Sequence, residues 1–347
     1  MAESGIRFTH AYVTNPVCAP SRISMATGVM AGRFGVFNNG MKATIGDEVN
    51  ANSLGKLMKR GGYDTFYGGK VHMAPELMPK RSGYDEICRD ERDKLPQECI
   101  TFMTKKRERP FFAVASFINP HDICFAYNAK QRGRKGGKGK ALVDDLYRQA
   151  EALSIDQLPP LPDNSAIPML EPEVIGLKLK ENAITPTKLI RKDYKDRDWR
   201  NYRWIYCRLT ERVDTQIGQL LDALKKNGLE ENTVVIFTSD HGDMDGSHRL
   251  ASKNVFYENS TGVPFIMQYK GGIPAGIVND KSLICNGLDV LPTICDYAEV
   301  NVPDYLLGRS IRQVAEGGLD NPRRPFIVAE NNTGRMIRSE RYKYCVY

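Results

Sequence analysis

Cys18 heads the run Val17-Cys18-Ala19-Pro20-Ser21-Arg22, which Thr27-Gly28 closes. A thiol, a proline and an arginine at this spacing read as the first turn of a helix. Pro20 suits that turn, because its missing N–H would have no intrahelical partner there. Ser21 and the amides after it would offer donors to an anion, and Gly28 would end the helix. One reading is a nucleophile aimed at an anion with a guanidinium one turn away. The other is a buried cysteine beside a helix cap, the common fate of a lone Cys.

Three strand ends carry further reactive groups. In Gly69-Lys70-Val71-His72, a lysine and a histidine two apart in an extended segment can face one cleft. In Asn119-Pro120-His121-Asp122, the proline stiffens the turn that presents His121. In Thr238-Ser239-Asp240-His241-Gly242-Asp243, adjacent carboxylate and imidazole groups could form half of a divalent-metal site. His248 and Lys253 follow, ahead of Tyr257-Glu258-Asn259-Ser260-Thr261-Gly262-Val263-Pro264. Taken singly, each has a plainer reading: a surface lysine, a hydrogen-bonded turn histidine, an acid-rich turn without metal.

The elements that must position these groups alternate between short β-rich runs and helical patterns, which predicts an α/β fold with a mostly parallel central sheet flanked by helices. Strands are expected at 63–67, at 111–117 and 234–238, whose continuous apolar runs suit central strands, and at 263–267. Helices are expected at about 53–60 and 199–226, the latter with Ile217, Leu220, Leu221 and Leu224 at spacings of three and four. Open α/β sheets place ligands at strand ends, where the three polar runs sit. Residues 129–198, with Pro159, Pro160, Pro162, Pro168, Pro172 and Pro186, read as a long irregular insertion over the sheet's rim. A change of pattern near Val302-Pro303 divides the chain into 1–300 and 301–347, the second part being the start of a smaller C-terminal subdomain.

The 347 residues suffice for one large α/β domain and a small appendage, and 41% apolar content is ordinary for a globular chain. No segment reaches the roughly 20 consecutive apolar residues of a membrane span, and the first residues hold no apolar core of a secretory signal. The eight cysteines include no Cys-x-x-Cys pair, so neither a disulfide framework nor a zinc site is indicated. Part of the net charge of +7 lies in Lys130, Arg132, Arg134, Lys135, Lys138 and Lys140, interleaved with glycines. That composition reads as a mobile, solvated loop that could attract a polyanionic substrate. Without aromatic interleaving, nucleic acid is not an expected partner.

Cys18-x-Pro20-Ser21-Arg22 with Thr27-Gly28 resembles the signature of the type I sulfatases, within the alkaline-phosphatase-like superfamily. Met25 stands where that family usually has leucine, a swap close in volume. The Gly-Lys-x-His turn, the Pro-His after a Phe-rich strand, the Thr-Ser-Asp-His-Gly strand end and Gly-Ser-His-x-x-x-x-Lys occur in sulfatases in this order. The resemblance runs from Gly5 to Tyr344 and implies an alkaline-phosphatase-like fold and a sulfuric ester hydrolase. By position, Cys18 would be oxidised by a formylglycine-generating enzyme, and the hydrated aldehyde would attack sulfur. Arg22 would hold that nucleophile; Lys70 and Lys253 would bind sulfate oxygens. His121, with Lys253, would help the alcohol leave, and His72 would take the proton that lets sulfate depart. Asp240, His241 and the modified Cys18 would ligate Ca2+, and His248 would touch substrate. The basic and proline-rich stretches suggest a glycan or other anionic sulfate ester.

One part of the family pattern is missing. Its first strand normally ends in an Asp-Asp pair upstream of the signature, and this chain has no Asp before Cys18. With Asp240, His241 and Cys18 alone, a calcium ion would fall short of its usual six to eight oxygens. The expectation is a fragment or mis-started frame of an ordinary sulfatase, the alternative a truncated homologue with weak or no activity. No compartment is readable, though family members are often exported. A phosphonate monoester or phosphodiester hydrolase of the same superfamily is the alternative activity.

Overall fold

A computed structural model describes residues 1–128, 137–180, 191–318 and 324–347. The chain folds into two compact units, one comprising Met1–Ser116, Leu220–Gly242 and Thr261–Tyr347, the other Phe117–Gln219 and Asp243–Ser260.

Among the described residues the first unit holds twelve strands: β1 (Ile6–Phe8), β2 (Ala11–Tyr12), β3 (Asp64–Gly69), β4 (Glu86–Cys88), β5 (Phe111–Ser116), β6 (Val235–Thr238), β7 (Phe265–Gln268), β8 (Ile277–Asn279), β9 (Ile284–Cys285), β10 (Phe326–Asn331), β11 (Gly334–Ser339) and β12 (Lys343–Val346). They form sheets in the orders β6-β7-β1-β8, β4-β3-β5, β2-β9 and β10-β11-β12. The β4-β3-β5, β2-β9 and β1-β8 pairings are parallel. Strand β7 runs antiparallel to both neighbours, and β10-β12 make a small antiparallel sheet. Parallel sheet elements and a smaller C-terminal sheet give the α/β architecture expected.

Two apolar runs expected at the centre of a sheet lie elsewhere. Among the described residues β5 pairs only with β3, β6 pairs only with β7, and both are half-buried. The inner positions belong to β3, β1 and β7. A continuous apolar run reports that both faces of a strand are to be covered, not that both edges are paired.

Helices cover the strands through ordinary amphipathic faces. Leu54, Leu57 and Met58 of the Leu54–Arg60 helix pack with Leu291 and Cys295 of the Asn286–Tyr297 helix, three and four residues apart as a helical stripe requires. At the start of the latter, Asp289 is 1% exposed and fully engaged. Its carboxylate accepts from the amides of Cys285 at 2.7 Å and Arg309 at 3.0 Å, and from both Arg324 amino groups at 3.0 and 2.6 Å. A buried charge is tolerable when donors surround it in this way.

The second unit is helical. Trp199, Tyr202, Ile205 and Leu209 line one face of the Asp196–Lys226 helix, whose last turns belong to the first unit, and pack against Val143 and Leu146. Part of the stretch read as irregular is regular: helices run over Gly137–Ala152 and Glu173–Lys180. Of the basic loop, Lys130, Arg132, Arg134 and Lys135 lie outside the described residues. Lys138, Gly139 and Lys140 are helical rather than loop, Gly139 is buried, and Lys140 pairs with Asp144 one turn on. Glycine density misled here because glycine costs a helix only roughly 0.5–1 kcal/mol per residue relative to alanine, which packing can outweigh. No described helix is long and apolar enough to cross a membrane.

Candidate active site

The Cys18–Thr27 helix begins at Cys18 and ends at Gly28, whose φ of 68° is the left-handed closure glycine permits. Its first turn is not the open anion site expected. The Ser21 amide bonds Val17 O at 3.1 Å, and the Ala19 amide donates to Asn39 Oδ1 at 3.0 Å. The functional surface of this helix is made of side chains.

Cys18 is 1% exposed. Its Sγ lies 3.1 Å from His241 Nε2 and 3.8 Å from Lys70 Nζ. His241 Nδ1 lies 2.7 Å from Gly242 O. A carbonyl can only accept, so Nδ1 carries a proton and Nε2 is the nitrogen turned toward Cys18, the orientation common in ligating histidines. Arg22, one turn into the helix, donates through Nε to Asp240 Oδ2 at 2.7 Å and through Nη1 to Ser116 Oγ and Lys70 O, each at 2.8 Å. One guanidinium thereby ties together the ends of β3, β5 and β6.

Burial alone would push the Asp240 carboxyl up. The Arg22 guanidinium, with His241 and Lys70 beside it, outweighs burial and holds it well below the usual carboxylate range. Burial likewise opposes the charge on Arg22, and Asp240 more than restores it. Burial pushes the Tyr67 phenol up despite Arg22, so it stays a neutral donor, and its hydroxyl gives a 2.8 Å bond to Lys70 O.

Lys70 owes its place to Gly69, where β3 ends with φ 90° and a Cβ would stand 2.0 Å from Ser116 O. The Lys70 amide then bonds that same carbonyl at 2.8 Å, and its side chain turns inward, 7% exposed. His72 follows with φ 46° and is exposed, so the segment is not the extended one expected.

Donor atoms of Cys18, Asp240 and His241 lie within 4.8 Å of one another. One carboxylate, one correctly oriented imidazole nitrogen and the Cys18 position fit one side of a divalent-cation site. Beside them Asn286, fully buried, donates through Nδ2 to Ser239 O at 2.7 Å and keeps the strand end in place.

Cys18, Arg22, Lys70, Asp240 and His241 thus converge within the first unit. His121 and Lys253 belong to the second. His121 opens a 3-10 turn after the cis Asn119–Pro120 peptide, and Lys253 is half-buried between buried Ser252 and Asn254. Sequence reading missed Tyr67, Ser116 and Asn286, which act through the backbone or through Arg22. Only the position of Ser116 at the end of an apolar strand could have signalled any of them.

A family model described as Sulfatase matches residues 1–300. The chain is 27% identical over 386 residues to the Delta 4,5-hexuronate-2-O-sulfatase of Bacteroides thetaiotaomicron, covering 100% of this chain and 73% of that protein. A solved 2-O GAG sulfatase superposes with a TM-score of 0.79 at 26% identity, over 100% of this chain and 76% of that one. A phosphonate monoester hydrolase of Agrobacterium radiobacter gives a TM-score of 0.74 over 100% of this chain and 81% of that one, and at 20% identity this shows the fold alone.

Proposed function

The chain belongs to the sulfatase family of sulfuric ester hydrolases, and from that premise we propose that it cleaves a sulfate monoester on an anionic glycan through a formylglycine made from Cys18. The observation that carries this reading is Cys18 Sγ within 3.1 Å of His241 Nε2 and 3.8 Å of Lys70 Nζ. A sulfate ester gains negative charge at oxygen as it is attacked, and preformed cations stabilise that charge best where water is scarce. Glycan substrates are supported by the relative named for a hexuronate 2-O-sulfate.

When present, the aldehyde hydrate supplies a nucleophilic hydroxyl and a second hydroxyl that allows sulfate to leave by C–O cleavage. Asp240, His241 and the Cys18 position would hold a divalent cation, Ca2+ in this reading, which supplies Lewis acidity. Lys70 binds sulfate oxygens with its ammonium. Arg22 keeps Asp240 ionised and fixes the strand ends. To His72, exposed after the turn at Gly69, the sequence pattern assigns the proton whose loss would release sulfate. To His121 and Lys253 the sequence pattern assigns protonation of the departing alcohol and a further grip on sulfate. Because Cys18 is 1% exposed, a formylglycine-generating enzyme would have to act before the chain closes around it.

Rates on an aryl sulfate and an aryl phosphodiester, compared with the modified protein, test the assignment. Sulfate turnover exceeding phosphodiester turnover, and lost in Cys18→Ala, is the expected outcome. Preference for the phosphodiester would overturn it.

A further inference from the structure

Among the described residues the most contorted stretch lies in the second unit, where Lys253 sits. Asp245 (φ 43°), His248 (54°), Arg249 (52°), Ser252 (69°) and Asn254 (74°) all occupy the left-handed region, as does Gly246 at 86°. Residues with a Cβ stay there only when their surroundings over-determine them. Ser252 and Asn254 flank Lys253, so their backbone angles decide where its side chain leaves the chain.

Backbone bonds within the loop contribute, among them the Met244 amide to Ser252 O at 2.7 Å and the Gly246 amide to Leu250 O at 2.9 Å. From the long helix, Tyr202 and Arg203 donate to Asp243 and Asp245 at 3.2 and 3.0 Å. Further contacts come from the proline-rich insertion. The His248 amide donates to Asn164 O at 2.8 Å. Arg191 grips both Glu171 oxygens at 2.9 and 2.7 Å and donates to His248 O at 3.0 Å. From the Glu173–Lys180 helix, Ile175 and Leu179 pack against Met244, Leu250 and Val255. On the same face Lys178, 1% exposed, donates its ammonium to Asn254 O and lies 3.5 Å from Asn254 Oδ1.

Among the described residues no carboxylate pairs with Lys178, and burial drives its pKa down to about 8. A buried cation without a counter-charge weakens a fold. Packing alone would be served as well by methionine, a side chain of similar length. The ammonium therefore has another use, and its acceptor names it.

We propose that Lys178 is a positioning residue: by holding the Asn254 carbonyl it fixes the left-handed backbone beside Lys253 and so sets the affinity for the sulfate group. The effect on affinity rests on the reading of Lys253 as a sulfate-binding residue; the effect on the backbone does not. Lys178→Met in the full chain, followed by amide hydrogen exchange and by aryl sulfate kinetics, tests both. Exchange across 243–254 should accelerate at least tenfold with the rest of the chain unchanged, and KM should rise at least fivefold with kcat within twofold. Asn254→Gly keeps the carbonyl that Lys178 holds and suits the left-handed region, so exchange across 243–254 and KM should both stay within twofold of wild type. Unchanged exchange across 243–254 in Lys178→Met, or faster exchange throughout the chain, would overturn the proposal. Local loosening with KM unchanged in Lys178→Met, or a fivefold rise of KM in Asn254→Gly, would overturn it equally. A wild-type chain that cleaves no sulfate ester would instead count against the sulfatase reading, while the exchange result still decides the role of Lys178.

Discussion

Arg22 and Asp240 meet at 2.7 Å with side chains only 12% and 13% exposed, and Lys70 and His241 share that space. Breaking a buried pair by neutralising one member leaves a bare charge, at roughly 3–5 kcal/mol. Asp240→Asn should destabilise the chain by about that amount at pH 7 in urea unfolding. The pH dependence has a definite sign. The folded-state pKa of Asp240 lies below its unfolded value. Its stabilisation is thus complete above about pH 4 and is lost as pH falls through the depressed folded value. The gap between wild type and Asp240→Asn should therefore narrow on acidification; a gap independent of pH would show that Asp240 is not held as described. At this scale the sequence was informative where chemistry needs a particular side chain. Cys18, Arg22, Lys70, Asp240 and His241 were legible as one group only through the resemblance their runs carry, since type and spacing left each a plainer reading. Tyr67 and Asn286 were not, because a hydrogen bond to a backbone carbonyl leaves no pattern in a single sequence.

Elements place these residues through a few backbone positions that tolerate no substitute. Gly69→Ala would set a Cβ 2.0 Å from Ser116 O at φ 90°, prying β3 from β5 where Lys70 begins. We expect a loss of roughly 3 kcal/mol or more together with most of the activity; an active, fully stable Gly69→Ala would remove Gly69 from this role. Lys178 offers a second test at this scale: as with Asp240 the fold gains stability as pH rises, here because a penalty is relieved. Its folded pKa of about 8 lies below the ordinary lysine value of 10.5, so the folded state binds fewer protons between those values. Its burial weakens the fold below pH 8, and the penalty is relieved as pH rises toward 10.5. Wild type should gain on the order of 3 kcal/mol relative to Lys178→Met across that window, from about 1.4 kcal/mol per pKa unit. Parallel pH profiles for the two would contradict it. Helix 199–226 and the strands near 63–67, 111–117, 234–238 and 263–267 were readable because apolar runs and periodicity record burial, whereas β1, β2, β4, β8 and β9 are too short to carry a pattern. Which strands lie at sheet edges was not, since pairing partners are chosen by the rest of the chain.

On the scale of the whole molecule, a net charge of +7 accompanies a pattern of cations at the site. An anionic glycan should feel that charge over distances that salt screens, and a small aryl sulfate much less. KM for a polysulfated oligosaccharide should rise between low and physiological ionic strength while KM for the aryl ester barely moves; equal responses would argue against a polyanionic substrate. Fold class was legible at this scale because strands and helices alternate along the chain. The division into two units, each drawing on separated stretches, was not, because contact between distant segments has no local signature.

Everything turns on Cys18. The most direct measurement prepares the protein with varying conversion of that residue, quantifies its peptide by mass spectrometry, and records sulfate release from an aryl sulfate. Turnover should rise in proportion to the fraction carrying the aldehyde and vanish in Cys18→Ala. Undiminished turnover by protein whose Cys18 is entirely thiol would contradict the account.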